Sequence, residues 1–305
     1  MLAGPGSTES PIRFVFVGGV PRSGTTLLQR ILTRHSRIVG GEEFQASRKF
    51  IDFHRAMAAR LQLRRSEFYT REELDVRFRT FFNSFFEELR SRRPDAVWVS
   101  EKTPANVTVA KELLELFPDA RFVHILRDGR DVLASSLAVR QRAVSGSHSH
   151  EPVAKVVADR VSARELLRAY RSAVAVDRDL RAHPRFHSLR YESLVSSPES
   201  TMRAVFDFLE VPFERSALRV DDGGTTAIFI DEIHHTANDL RRPIDRHAVG
   251  RYQRLPLTQR AIAELVLGED LEALGYPTSL ATRTTGALRR ALRPVARSLK
   301  SALKR

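Results

Sequence analysis

Apolar positions follow two periods along the 305-residue chain. Short unbroken apolar runs mark strands covered on both faces, and apolar residues three and four apart mark helices. Phe14-Val15-Phe16-Val17, closed by Gly18-Gly19, is the first such run. Past the turn, Leu27, Leu28, Ile31 and Leu32 recur at helical spacing, so a strand passes through a glycine-rich loop straight into a helix. Val97-Trp98-Val99 predicts a second strand, Arg121 to Leu126 a third and Phe186 to Glu192 a fourth. Helices are predicted from Val107 to Phe117, from Pro152 to about Ala182, and behind Pro198. The last core helix runs from Leu257 to Leu274, stopped by Gly275-Tyr276-Pro277. From Phe44 to Arg93 the chain reads as largely helical, with Leu74, Phe78, Phe81, Phe82, Phe85 and Leu89 on one core-facing side and a secondary reading in which some rings wall an acceptor pocket. Strand, helix, strand at this spacing is a βαβ unit, which predicts an α/β fold with a central parallel sheet and helical insertions.

Three segments fall outside that pattern. Residues 1–11 are small and polar and predict a flexible terminus. Residues 220–250 are irregular; Glu232, His234 and His235 lack the H-E-x-x-H spacing, so the segment reads as a substrate-side loop or lid and no metal site is expected. Residues 278–305 carry Leu288, Leu292, Val295, Leu299 and Leu303 among basic residues, a basic amphipathic tail interrupted at Pro294. Residues 12–277 are expected to form one domain between the two termini, and 42% hydrophobic content suffices for its core.

The chain has no cysteine, which excludes disulfides, thiolate nucleophiles and cysteine-ligated zinc. No apolar run is long enough to cross a bilayer and no leader pattern opens the chain, so a cytoplasmic protein is expected, with peripheral membrane contact through 278–305. A net charge of +13 suits an anionic cofactor, an anionic lipid surface or a polyanion. Basic residues interleaved with aromatics are missing, so no nucleic acid partner is expected. The oligomeric state is not legible.

The candidate chemistry starts at the first loop. Gly19 to Thr26 matches G-x-x-x-x-G-K-[ST] except that Thr25 replaces the lysine. The strand, loop and helix still form an anion cradle, because the first N–H groups of a helix lack intrahelical partners and its dipole is positive there. Loss of that lysine argues against nucleoside triphosphate hydrolysis, and Arg22 can supply the charge instead. The string GGVPRSGTTLLQRIL followed by GGEE resembles the 5′-phosphosulfate loop of the sulfotransferases, enzymes that use PAPS (3′-phosphoadenylyl sulfate) as sulfuryl donor, and is most similar to their tyrosylprotein branch. The resemblance implies a P-loop-like three-layer α/β/α fold, PAPS bound by Arg22, Ser23, Gly24, Thr25 and Thr26, and Glu43 as general base, with Glu42 as the rival carboxylate. It implies that Lys102 in the Glu101-Lys102-Thr103-Pro104 segment stabilises the departing phosphate, that Arg127 and Ser135 in the segment opening Arg127-Asp128-Gly129-Arg130 hold the 3′-phosphate, and that Arg251 adds a second ligand. Tyr191 is placed near the nucleotide by the same resemblance; a half-buried core tyrosine is an equal reading of it. The expected reaction is in-line transfer of a sulfuryl group to a hydroxyl of a small molecule, carbohydrate, lipid or peptide tyrosine. Two other readings stay open, a P-loop kinase-like phosphotransferase and a non-catalytic nucleotide- or polyanion-binding module at a membrane surface.

Overall fold

A computed structural model describes residues 12–41, 43–63, 68–144, 163–220 and 243–279. The chain divides into two compact units, one of Met1–Leu126 with Ala175–Arg246, the other of Arg127–Val174 with His247–Arg305.

The first unit is built on β1 (Phe14–Gly19), β2 (Ile38–Gly40), β3 (Trp98–Lys102), β4 (Arg121–Leu126) and β5 (Phe186–Arg190). They form one five-stranded sheet in the order β2-β3-β1-β4-β5. Every neighbouring pair is parallel. The central strand β1 is buried throughout. The chain leaves β1 through α1 (Thr25–Arg34) towards β2 and β3, and its later strands β4 and β5 lie on the opposite side of β1. The carboxyl end of β1 is therefore a topological switch point, the place where open α/β sheets bind ligands.

Alternation along β1 sends Phe14 and Phe16 to one face. The helix α2 (Ser47–Leu63) and the helix α3 (Arg71–Ser84) cover that face. Phe82 of α3 stands at ring centroids 5.3 and 6.0 Å from Phe14 and Phe16, with Phe117 packed on Phe16 at 5.6 Å. Each such ring pair adds about 0.5–1.5 kcal/mol beyond its burial. Phe50 of α2 lies 5.0 Å from Phe82, which joins the two helices to this cluster.

Several expectations are corrected here. β2 has no counterpart among the expected strands, because three residues are too few to show a period. The single apolar face read through Leu89 is broken: α3 ends at Ser84 and α4 (Glu87–Ser91) starts afresh. Leu74, Phe78 and Phe82 are buried, whereas Phe81 and Phe85 are 57% and 52% exposed. Adjacent helical residues point about 100° apart, so Phe81 and Phe82 cannot both face one core. The strand expected at Val97 to Val99 runs on to Lys102, so Glu101 and Lys102 belong to β3 and only Thr103-Pro104 leave it. Residues Pro104–Val109 form a 3-10 turn ahead of α5 (Ala110–Leu116), where one helix was expected. β5 stops at Arg190, and Tyr191 opens a helix instead.

The second unit contains α6 (Gly129–Val144), most of α7 (Ala163–Leu180) and α10 (Leu257–Ala273); between α7 and α10 in sequence come α8 (Tyr191–Ser196) and α9 (Pro198–Phe208) of the first unit. Within the second unit Gly129 is required by close approach, since a Cβ there would lie 2.8 Å from Leu267 Cδ1 and from Tyr170 Cζ. The start of the expected helix at Pro152, most of the expected 220–250 loop with Glu232, His234 and His235, the terminus 1–11, Glu42 and the tail beyond Ser279 lie outside the described residues. No helix among the described residues is long and apolar enough to cross a membrane.

Asp177, near the end of α7 and in the first unit, is fully buried and accepts hydrogen bonds from Ser188 of β5 and from Arg181. His124 Nδ1 of β4 lies 3.6 Å from its Oδ1. Burial opposes ionisation of this carboxyl, but His124, Ser188 and Arg181 outweigh it and hold Asp177 well below the usual carboxylate range. A group with a lowered folded pKa stabilises the fold above its unfolded pKa, and that stability is lost as pH falls towards the folded value. Asp177→Asn is therefore expected to lower the thermal midpoint at pH 7, by a loss of about 3 kcal/mol. The gap from the parent should narrow as the pH is lowered below about 4, and thermal unfolding followed by circular dichroism at both pH values checks it.

Candidate active site

The loop between β1 and α1 has the geometry of an anion cradle. Ser23 N donates to Val20 O at 3.0 Å, which turns the chain. Arg22 adopts φ +76°, a left-handed conformation that costs a non-glycine residue about 1–3 kcal/mol and persists only where the surroundings hold it. Gly24, at φ +105°, is the N-cap of α1; no side chain caps the helix and its first turn carries no acidic residue. The first amide N–H groups of α1 are thus left for an anion. Ser23 Oγ is buried with no hydrogen-bond partner among the described residues. Thr25 is buried and Thr26 half-buried at the head of the same helix. Glycine is needed twice. A Cβ on Gly19 would lie 2.6 Å from Ile125 O, and one on Gly24 would lie 2.4 Å from Tyr191 Cδ2. Tyr191 is therefore a buried residue packed against the loop at Gly24.

The adjacent strand supplies the second part. β3 pairs with β1 so that Lys102 lies opposite Val17, two residues before Gly19. Lys102 Nζ donates to Glu43 Oε1 at 2.6 Å; the lysine side chain is 5% exposed and the glutamate 31%. Gln45 Nε2 lies 3.4 Å from the other carboxylate oxygen, Oε2. The base and the cation named from motifs far apart in sequence are thus one ion pair at the loop end of the sheet. Gln29 of α1 braces the region by donating to Ser100 O at 3.3 Å and Gly41 O at 3.4 Å, while Ser100 Oγ donates back to Gln29 Oε1 at 2.6 Å.

The second unit holds the remaining candidates. Arg127 and Ser135 are both buried, Arg127 two residues ahead of α6 and Ser135 in its second turn. Arg127 donates to Ala248 O and lies 3.9 Å from Asp131 Oδ2. Arg251 opens a 3-10 turn, Arg251–Arg254, behind Gly250 at φ +75°, and its Nε lies 3.4 Å from His247 O. The motif reading overlooked Asp131. Its carboxylate accepts from Gly250 N at 2.7 Å and Tyr252 N at 2.9 Å, so it holds the turn that carries Arg251. Burial raises the Asp131 carboxyl, and the two amides and Arg127 act against that rise. Its signal in the sequence was its position four residues after Arg127, which a helix places on the same side. Arg130, also overlooked, is tied to Asp128 Oδ2 at 2.7 Å and Glu264 Oε1 at 2.9 Å and stacks over Tyr252 at 4.2 Å. It is a brace of this unit.

A parallel five-stranded sheet with an anion cradle at its switch point, and a carboxylate paired with a lysine of the next strand beside it, has the P-loop-like α/β/α architecture. The family model described as "Sulfotransferase family" matches residues 14–215, and the chain belongs to that family, whose members are PAPS-dependent transferases. Protein-tyrosine sulfotransferase 1 of Danio rerio is 26% identical over 284 residues, covering 90% of this chain and 75% of that relative. Protein-tyrosine sulfotransferase of Drosophila melanogaster is 25% identical over 253 residues, 80% of this chain, yet only 47% of its own length is spanned. Among solved structures, the sulfotransferase domain from the curacin biosynthetic pathway superposes with a TM-score of 0.56 at 18% identity, over 89% of this chain and all (100%) of that one. That likeness shows the fold. Among the described residues no group of three His, Asp or Glu could hold a metal ion.

Proposed function

We propose that this chain transfers a sulfuryl group from PAPS to an acceptor hydroxyl by in-line displacement, with Glu43 as general base and residues 12–277 acting as one sulfotransferase domain. The observation that carries the reading is the 2.6 Å pair of Glu43 with Lys102, which lies on the strand next to the phosphate loop. The loop fits the donor: an uncapped helix start, a buried Ser23 hydroxyl with no partner among the described residues, and two glycines that let the loop pack closely on Ile125 and Tyr191.

Bound PAPS supplies the activated sulfuryl group and its phosphate leaving group. Amides and hydroxyls of Ser23, Gly24, Thr25 and Thr26 would hold the 5′-phosphosulfate, with Tyr191 walling the loop and Arg22 facing the negative charge. Arg127, Ser135 and Arg251 would hold the 3′-phosphate, a task suited to the guanidinium fork. Glu43 takes the acceptor proton through Oε2, which Gln45 Nε2 meets only at 3.4 Å, whereas Oε1 is engaged by Lys102 at 2.6 Å. Lys102 stabilises charge on the departing phosphate oxygen. Arginine and lysine provide the cations this chemistry calls for.

The acceptor is a hydroxyl, and the names of the relatives make peptide tyrosine the first to test, alongside a phenol, a sugar and a lipid alcohol. A cytoplasmic location, with peripheral membrane contact through residues 278–305, belongs to the same reading and is checked by cell fractionation. Calorimetric titration with PAP (3′-phosphoadenosine 5′-phosphate) and, separately, with magnesium-ATP tests the donor. PAP is expected to bind at least about a hundredfold more tightly, a difference of roughly 2.7 kcal/mol. Tight binding of ATP with none of PAP would move the chain to the phosphotransferases.

A further inference from the structure

Beside the Lys102–Glu43 pair sits a carboxylate to which the mechanism above assigns nothing. Glu101 is 1% exposed and shows no ion pair among the described residues. Burying such a group is costly unless hydrogen bonds replace its water. Glu101 has three. Thr103 Oγ1 donates to its Oε1 at 2.6 Å, Ser47 Oγ donates to its Oε2 at 3.2 Å, and Asn106 Nδ2 donates to the same oxygen. The backbone amide of Phe44 also favours its ionised form. Burial raises the carboxyl and these donors act against the rise, so the carboxylate depends on them as they depend on it.

Two of the tethers end on one short segment. Ser47 Oγ binds Glu101 directly, and Gln45 N donates to Thr103 Oγ1 at 3.1 Å, which hands the bond on to Glu101. The segment needs them, because Gln45 stands at φ +56°, a left-handed conformation that local preference does not favour. The third tether reaches β1, since Asn106 Nδ2 also lies 3.3 Å from Val17 O. Glu43 is the residue immediately before this clamped stretch, and Lys102 is the residue immediately after Glu101 in β3. One strand thus supplies both the cation that binds the Glu43 carboxylate and the carboxyl that tethers the segment behind it.

We propose that Glu101 is a positioning residue for sulfuryl transfer, holding residues 44–47 against β3 so that the Glu43 carboxylate stays on Lys102 at the loop end of the sheet. The proposal rests on Glu43 being the base. Glu101 itself touches no substrate; it acts through the backbone that carries Glu43.

The test uses the full chain with three variants, Glu101→Leu, Glu101→Gln and Thr103→Val. Leucine removes every acceptor, glutamine keeps the shape and one acceptor oxygen while donating to Thr103 Oγ1, and valine cuts only the link through Gln45, which keeps the test alive if the leucine variant does not fold. Amide hydrogen exchange of Phe44 and Gln45 is read together with PAP affinity and with kcat and KM on the acceptor that responds best. Expected are at least about tenfold faster exchange confined to 43–47 in Glu101→Leu and Thr103→Val, and kcat down by about 10- to 100-fold, with PAP affinity within about threefold and the glutamine variant restoring most of both. Unchanged exchange at 43–47, unchanged kcat, or PAP affinity falling in step with kcat each overturns the proposal. If the parent protein binds no PAP, the donor reading has failed instead, and the exchange measurement alone still decides whether Glu101 holds the segment.

Discussion

Glu43→Gln is expected to lower kcat by about a hundredfold to ten-thousandfold while PAP affinity stays within a factor of about three. The substitution keeps the shape of the side chain and removes its capacity to take a proton. Binding of the nucleotide product should survive, because the cradle is made of loop amides, hydroxyls and arginines and not of this carboxylate. Stability should fall at the same time. Lys102 is 5% exposed and donates to Glu43 Oε1, so the amide leaves a buried ammonium without its counter-charge. The thermal midpoint and kcat are therefore measured on the same preparation, and a Lys102→Met, Glu43→Gln double variant separates the two effects. The double variant should regain much of the midpoint and none of the rate. A single Glu43→Gln variant with parental kcat would move the base elsewhere, with Glu42 first in line.

Arg127→Ala is expected to weaken PAP binding by about a hundredfold to a thousandfold, the loss of two charge-assisted hydrogen bonds at about 1.5–2 kcal/mol each. Its effect should appear in KM for PAPS more than in kcat, the reverse of Glu43. Arg127→Lys should recover only part of the affinity, because an ammonium cannot match the planar fork. The geometry gives a reason for specificity in this result. Arg127 is held by Ala248 O and stands 3.9 Å from Asp131, whose carboxylate also fixes the amides of Gly250 and Tyr252. Removing the guanidinium should leave that turn in place, since its two amide bonds do not depend on Arg127. Calorimetric titration with PAP, with circular dichroism as the control for folding, checks both parts.

How much of this was legible beforehand depended on the range of the forces involved. β1, the phosphate loop, α1 and β4 were readable because each is set within a few neighbours: an apolar run, a glycine where φ must be positive, apolar residues at helical spacing. β2 was hidden, since three residues become a strand only when β3 offers them a ladder. Phe81 and Phe85 read as core from their spacing and are exposed, because only the position of β1 decides which side of α3 faces inwards.

By itself the sequence determined the fold class, the order of the motifs and the residue types able to hold anions or take a proton. Tertiary structure alone decided who stands beside whom. Lys102 and Glu43 are 59 residues apart in the chain, and Gly250 and Asp131 are 119 apart. No local pattern encodes such pairings, because they form only after the strands have chosen their register and buried their polar groups together. Glu101 and Lys102 are the sharpest case. Adjacent in sequence and alike in being ionisable, they point to different partners because neighbouring residues of a strand face opposite ways.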